Sequence, residues 1–426
     1  MQTALAPEFK GTAEGAAAEA ILRKCVHCGF CNATCPTYQL LGDELDGPRG
    51  RIYLIKQVLE GAPVTRSTQV HLDRCLTCRN CETTCPSGVQ YGNLVDIGRR
   101  IVDERAPRPL GEKWLRAALK QGLTSPLFGP AMKLGQLARP LLPAALKAKV
   151  PAPAGPRARL WPTRVHPRKV LLLMGCVQPA MMPNINSATA RVLDAAGIQT
   201  LVADGAGCCG AIKTHLADTE GGLADMRRNI DAWWPTVAAG EVEAIVMNAS
   251  GCGVTVKQYG HSLAHDPDYA EKARRIGELT RDLSELLPGM LPALQKALAL
   301  PGPSAKRSAD APPESSGRRK RLAFHPPCTL QHGQQLRGGV EAHLGALGFE
   351  ISLAASESHL CCGSAGTYSV LQAGLALQLR DRKLANLAPA EVIVSANIGC
   401  IQHLQTGTAT PVRHWIEVLD EALAQA

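Results

Sequence analysis

At 426 residues the chain is longer than one ordinary hydrophobic core serves, so two to four domains are expected. Its 45% hydrophobic and 19% charged residues are those of a globular protein, and no apolar run approaches the roughly 18 residues of a membrane helix. A formal charge of +9 suggests nucleic acid, yet no dense basic stripe interleaved with aromatics occurs, which excludes that partner.

Residues 1–20 read as an Ala-rich lead-in, helical at best, with neither the basic nor the apolar region of a signal peptide. The expected location is the cytoplasm, with peripheral attachment to the cytoplasmic face of the inner membrane left open. Next come CVHCGFCNATCP at 25–36 and CLTCRNCETTCP at 75–86, one pattern written twice. Three cysteines spaced by two residues let a tight loop offer three soft thiolates to the corners of an iron–sulfur cube. The fourth, followed by Pro, points away from that loop and in two-cluster ferredoxins ligates the other cluster. A second copy is therefore what the first requires. The spacing assigns one [4Fe-4S] cluster to Cys25, Cys28, Cys31 and Cys85, and the other to Cys35, Cys75, Cys78 and Cys81. Zinc gives no reason for a third Cys-x-x step or for Cys-Pro. Pro36 and Pro86 turn the chain away; Gly29 gives the first loop room, whereas Arg79 holds the matching place in the second. With eight thiolates and two oxidised cores, the charge of the loaded chain falls to about +5. Nothing in this region resembles a substrate pocket or proton-transfer dyad, so its expected function is one-electron relay, with no catalytic residue.

Between the motifs, GPRG (47–50) reads as a turn before RIYLIKQVLEG, whose Ile52, Leu54, Ile55, Val58 and Leu59 form a helical stripe ending at Gly61. That helix marks a helical ferredoxin type rather than the small β-rich kind. Further helices are expected over 93–104 and 112–123, and 138–168 reads as a Pro-rich linker.

The remainder repeats itself. KVLLLMGC (169–176), a helix-like stretch, QTLVADGAGCCG (199–210) and EAIVMNASGC (243–252) match RLAFHPPC (321–328), a second helix-like stretch, EISLAASESHLCCG (350–363) and EVIVSANIGC (391–400). The lone Cys and the Cys pair stand 32 residues apart in one copy and 33 in the other. Strands alternating with helices predict a parallel sheet in each copy, with three strands apiece, and the matched period implies duplication. The fold class is thus α+β multidomain: a helical two-[4Fe-4S] ferredoxin domain with trailing helices (1–137), the linker (138–168), and two duplicated α/β Cys-Cys-Gly modules. The modules cover 169–300 and 321–426, separated by a linker expected to be disordered (301–320).

The other eight cysteines, Cys176, Cys208, Cys209, Cys252, Cys328, Cys361, Cys362 and Cys400, fall in these modules at the carboxyl ends of the strands, where α/β folds place sites. They form either a metal or redox site or an inert buried scaffold. His325 and His332 flank Cys328, His359 precedes Cys361 and His403 follows Cys400; each alone reads as an ordinary histidine.

Together the paired motifs, the GPRGRIYLIKQVLEG helix and the two Cys-Cys-Gly modules resemble the iron–sulfur subunits of glycolate oxidase (glycolate dehydrogenase), from about Ile21 to Trp415. The SGCGVTV (250–256) and SANIGC (395–400) stretches resemble that family more than its architectural kin. Those kin are the anaerobic glycerol-3-phosphate dehydrogenase C subunit, the lactate-utilisation iron–sulfur proteins and heterodisulfide reductase subunits. The resemblance implies flavin-binding partner subunits that oxidise glycolate to glyoxylate, electrons passed on toward an acceptor such as quinone, and the eight ligands named above. It implies an oxidoreductase complex in which the isolated chain is inactive. One departure stands out. Heterodisulfide reductase-type modules carry a fifth thiol in a late Cys-x-x-Cys, where this chain has Cys252-Gly-Val-Thr255 and Cys400-Ile-Gln-His403. The modules are accordingly expected to dock the flavoprotein and shape the electron path, with any metal secondary. The alternatives are a subunit for another 2-hydroxy acid or glycerol 3-phosphate, or a heterodisulfide reductase-like catalytic subunit.

Overall fold

The computed structural model describes residues 1–141, 158–299 and 320–426; most of the expected linker (142–157) and the expected disordered insert (301–319) lie outside the described residues. The first hundred residues are helical. Thr12 caps the helix Ala13–Lys24 by accepting from the Gly15 amide. Pro48 opens the helix Pro48–Leu59, where a missing amide costs nothing. Ile52, Ile55, Val58 and Leu59 of the expected stripe are buried against Leu72, Leu94 and Ile101 from the helices Arg66–Asp73 and Tyr91–Arg105. Gly98 lets two of these helices meet closely, since a Cβ there would lie 2.6 Å from Ile55 Cγ1. Two trailing helices, Leu110–Thr124 and Phe128–Ala138, have no buried residue, and they expose Leu110, Trp114, Leu134 and Leu137, with Leu127 exposed just before the second.

Among the described residues each module holds four parallel strands rather than three. The first sheet comprises β1 (Arg168–Leu172), β2 (Ile198–Leu201), β3 (Ala244–Met247) and β4 (Thr280–Asp282), in the order β2-β1-β3-β4. The second comprises β5 (Arg321–His325), β6 (Glu350–Ser352), β7 (Val392–Ser395) and β8 (Val412–His414), in the order β6-β5-β7-β8. The added strands β4 and β8 are too short to carry a readable alternation.

The modules share one core, in which Val170, Leu172 and Val246 join Leu322, Phe324 and Val394. The helix after the first strand of each packs on the helix after the fourth strand of the other. Asn184–Ala195 meets Trp415–Gln425, and Leu283–Ala297 meets Gly339–Ala346. This reciprocal exchange is the self-complementary contact of a two-fold dimer, built within one chain.

Candidate functional site

The two cysteine loops have the same backbone shape. His27 (φ 61°) and Gly29 (φ 86°) in the first match Thr77 (φ 50°) and Arg79 (φ 58°) in the second. Left-handed residues at alternate positions curl each loop around a centre, a conformation that L-residues rarely adopt unless the surroundings hold it. Gly29 is required for a second reason: a Cβ there would sit 2.6 Å from Arg49 Nη1, and Arg49 is held by Glu44 at 2.6 Å. Arg79 takes the equivalent place because its side chain leaves the loop and donates to Gln258 Oε1 in the first module, at 2.7 Å.

Each loop runs into a short helix, Phe30–Ala33 or Asn80–Thr84, and these two helices pack together. Thr34 Oγ1 and Thr84 Oγ1 bond across the junction at 3.1 Å. The pairing carries the fourth cysteine of each motif to the other loop. Burial, then Cys25, with Cys85 and Cys28 adding, push the Cys31 thiol up to about 11. Burial and the neighbouring Cys78, Cys75 and Cys35 likewise push Cys81 up. The structure thus gathers Cys25, Cys28, Cys31 and Cys85 in one place and Cys35, Cys75, Cys78 and Cys81 in another. All are free thiols. Soft donors crowded in fours suit a cationic iron–sulfur core, whose charge offsets the cost of ionising buried thiols such as Cys31 and Cys81.

Several residues that support these loops were not singled out from sequence. Asp46, 0% exposed, is bonded by Arg51, His71 and Arg74 at 3.4, 3.1 and 2.8 Å. Burial opposes the charge of Arg51, but Tyr91, Cys75, Cys35 and Asp46 around it more than offset this and raise its pKa. Tyr91 Oη donates to Cys75 Sγ at 3.6 Å, and Arg99 donates to the carbonyls of Leu72 and Cys75. GPRGR was the available signal: beyond a turn, it delivers Arg49 to one loop and Arg51 to the other.

The remaining cysteines also form two groups. In the first module the neighbouring thiols of Cys176 and Cys209 hold Cys208 low, and Cys252 lies beside Cys209. In the second, Cys328 Sγ lies 3.8 Å from Cys361 Sγ, and Cys362 lies beside Cys361 and Cys400. This second group adjoins the ferredoxin region: Cys78 and Leu76 pack in one apolar cluster with Cys328 and Cys361. Thr83 Oγ1 and His332 Nδ1 bond across the same junction at 2.9 Å, and Asn80 Nδ2 donates to the His359 carbonyl at 3.4 Å. Cys328, Cys361, Cys362 and Cys400 are buried within the chain. His403 does not complete the group, since its Nε2 bonds the Ala376 carbonyl at 3.0 Å, and Thr255 Oγ1 donates to the Gly251 carbonyl. His325 lies there instead, with Cys362 and Cys400.

A helical pair of interleaved four-thiol loops joined to duplicated α/β modules defines an iron–sulfur protein. The 4Fe-4S dicluster domain family matches residues 21–89, and the cysteine-rich domain family matches 170–257 and 322–405. The chain is 54% identical over 426 residues to the glycolate oxidase iron–sulfur subunit of Escherichia coli (strain K12), covering 99% of each. It is 31% identical to the probable glycolate oxidase iron–sulfur subunit of Bacillus subtilis (strain 168), over 91% of this chain and 89% of that one. Lactate utilization protein A of Geobacillus thermodenitrificans (strain NG80-2) is 24% identical, over 59% of this chain and 98% of its own. The chain belongs to the family of glycolate oxidase iron–sulfur subunits. No helix among the described residues is long and apolar enough to cross a membrane.

Proposed function

We propose that the chain is the electron-transfer subunit of a flavin-dependent glycolate dehydrogenase complex, working in the cytoplasm or at the inner face of the membrane. In this reading flavin-binding subunits oxidise glycolate to glyoxylate, and the chain relays the electrons to an acceptor such as quinone. Two [4Fe-4S] clusters, one held by Cys25, Cys28, Cys31 and Cys85 and one by Cys35, Cys75, Cys78 and Cys81, supply the one-electron steps. The observation that carries the reading is the likeness along the whole chain to a protein named as the glycolate oxidase iron–sulfur subunit. We take the ferredoxin domain with its trailing helices as 1–137 and the modules as 169–300 and 321–426.

The residues around the loops fit the role. The first set lies at the surface: Cys28 is exposed, and Val26 (69% exposed) and Phe30 (62%) stand beside it. The second set is enclosed between the helices and the second module. Electron transfer between proteins needs a short gap, which suits Cys28 to the outward contact. Arg51 and Arg99 keep fixed positive charge by the enclosed thiolates, and Leu76 and Tyr91 exclude water there.

The test is to purify the chain with its flavin-binding subunits and assay glycolate, lactate and glycerol 3-phosphate with a dye acceptor. Glycolate is expected to give the highest kcat/KM. A clear preference for either of the others would assign the subunit to a different dehydrogenase.

A further inference from the structure

Both modules reach the ferredoxin region with the same part of the repeat, which lets one serve as a control for the other. Tyr368 stands at the same place after Cys361-Cys362 as His215 does after Cys208-Cys209. His215 is partly exposed and pairs with the helix Tyr91–Arg105, its Nδ1 lying 3.7 Å from Asp96 Oδ1. The fold therefore does not call for a tyrosine here. Tyr368 is 6% exposed, and its hydroxyl is buried with no hydrogen-bond partner. A buried tyrosine hydroxyl ordinarily finds an acceptor, so this one needs an explanation.

Its surroundings indicate the acceptor. Tyr368 packs in one apolar cluster with Leu40, Leu76 and Cys78 of the ferredoxin region and with Cys361 of its own module. Arg51, Cys75 and Arg99, all in the ferredoxin region, act on its hydroxyl, as does Cys361. The two arginines are donors already committed elsewhere, Arg51 to Asp46 and Arg99 to the carbonyls of Leu72 and Cys75, and neither can accept. Sulfur is what remains. On the ferredoxin side one tyrosine is used this way already, since Tyr91 Oη donates to Cys75 Sγ at 3.6 Å. Tyr368 is placed to supply a second hydroxyl from the module.

We propose that the Tyr368 hydroxyl donates a hydrogen bond to a sulfur of the iron–sulfur centre held by Cys35, Cys75, Cys78 and Cys81, so that the second module sets that centre's reduction potential. The inference rests on the two-cluster reading above and adds to it a residue outside both motifs. Each electron accepted makes such a centre more negative, and a donor beside its sulfurs favours the reduced form. Burial pushes the Tyr368 hydroxyl pKa up, so the group keeps the proton that a donor needs.

The experiment uses the full chain purified without oxygen and titrated with a reductant, its iron centres followed by electron paramagnetic resonance. Cys78→Ser identifies the resonance of the second centre. Tyr368→Phe removes the hydroxyl and leaves the ring, so it is expected to fold, as circular dichroism would show. Its second centre should need a lower potential. At a fixed potential the reduced-to-oxidised ratio should fall about tenfold, which is about 59 mV for a one-electron couple. The midpoint of the first centre should not move. A ring-fluorinated tyrosine at the same position, a stronger donor of nearly the same size, should move the second centre the other way, and it decides the matter if Tyr368→Phe does not fold. An unchanged midpoint in folded Tyr368→Phe or in the fluorinated chain would overturn the inference while the two-cluster reading stands. So would a shift confined to a resonance that Cys78→Ser leaves intact. A wild-type chain with no resonance altered by Cys78→Ser would overturn both.

Discussion

Asp46 shows how much a single side chain carries beneath the second cysteine loop. Its carboxylate is fully enclosed and bonded by Arg51, His71 and Arg74, while its carbonyl accepts from Thr37 Oγ1 at 2.7 Å. Arg51 in turn donates to the His71 carbonyl at 2.7 Å, tying the helix before the second motif to the helix after the first. Removing one partner of a buried ion pair leaves an uncompensated charge, so Asp46→Ala is expected to destabilise the chain by about 3–5 kcal/mol. Urea unfolding followed by circular dichroism checks this, and a loss under about 1 kcal/mol would mean Arg51 finds other partners. At the same scale, Cys35→Ser is expected to disturb the centre of Cys75, Cys78 and Cys81 and to spare that of Cys25, Cys28 and Cys31. Resonance spectra in which only the latter changes would refute the exchange of ligands between motifs.

At the scale of elements, the last helix depends on a histidine that must remain neutral. His414 ends β8 and caps Trp415–Gln425, its Nδ1 accepting from the Ile416 amide at 3.1 Å. Its Nε2–H donates to the Asn248 carbonyl of the other module at 2.9 Å. Burial pushes its pKa down to about 3, and the bond to Asn248 only partly opposes this. Unfolded, the ring titrates near about 6.5. Between those values the unfolded chain binds the proton and the folded chain does not. The contribution is therefore complete above about pH 6.5 and is lost progressively as pH falls toward about 3. His414→Asn keeps a capping side chain without a titrating ring. The urea midpoint of wild type is expected to fall more steeply than that of the variant between about pH 6.5 and pH 5. Parallel pH profiles would show that His414 does not titrate in this way.

For the molecule as a whole, the first set of motif thiols reaches the surface and the second lies against a buried group of thiols. Cys28 stands outside, and Cys78 packs against Cys328 and Cys361 inside. The purified chain alone is expected to show no glycolate-dependent dye reduction, and activity should appear when flavin-binding subunits are added. Turnover by the single chain at a rate matching the complex would overturn the subunit reading. The trailing helices and the turn between them expose Leu110, Trp114, Leu127, Leu134 and Leu137.

The sequence by itself determined the paired motifs, the duplication, the parallel strands and the family, because each is written in local spacing. Ligands two residues apart share one loop, and a strand or helix announces itself by its period. What only the tertiary structure decided lies between segments distant in the chain. Four-stranded rather than three-stranded sheets, the buried Asp46–Arg51 pair and the contact of Cys78 with the second module all depend on long-range packing that no local period encodes. His325 makes the point most clearly. From sequence it was one of four histidines near cysteines, each with an ordinary explanation. Folding gave His332 and His403 hydrogen-bond partners, set the His359 carbonyl against Asn80, and left His325 buried with neither nitrogen satisfied. Burial and partnering are properties of the packed chain, which no local spacing encodes.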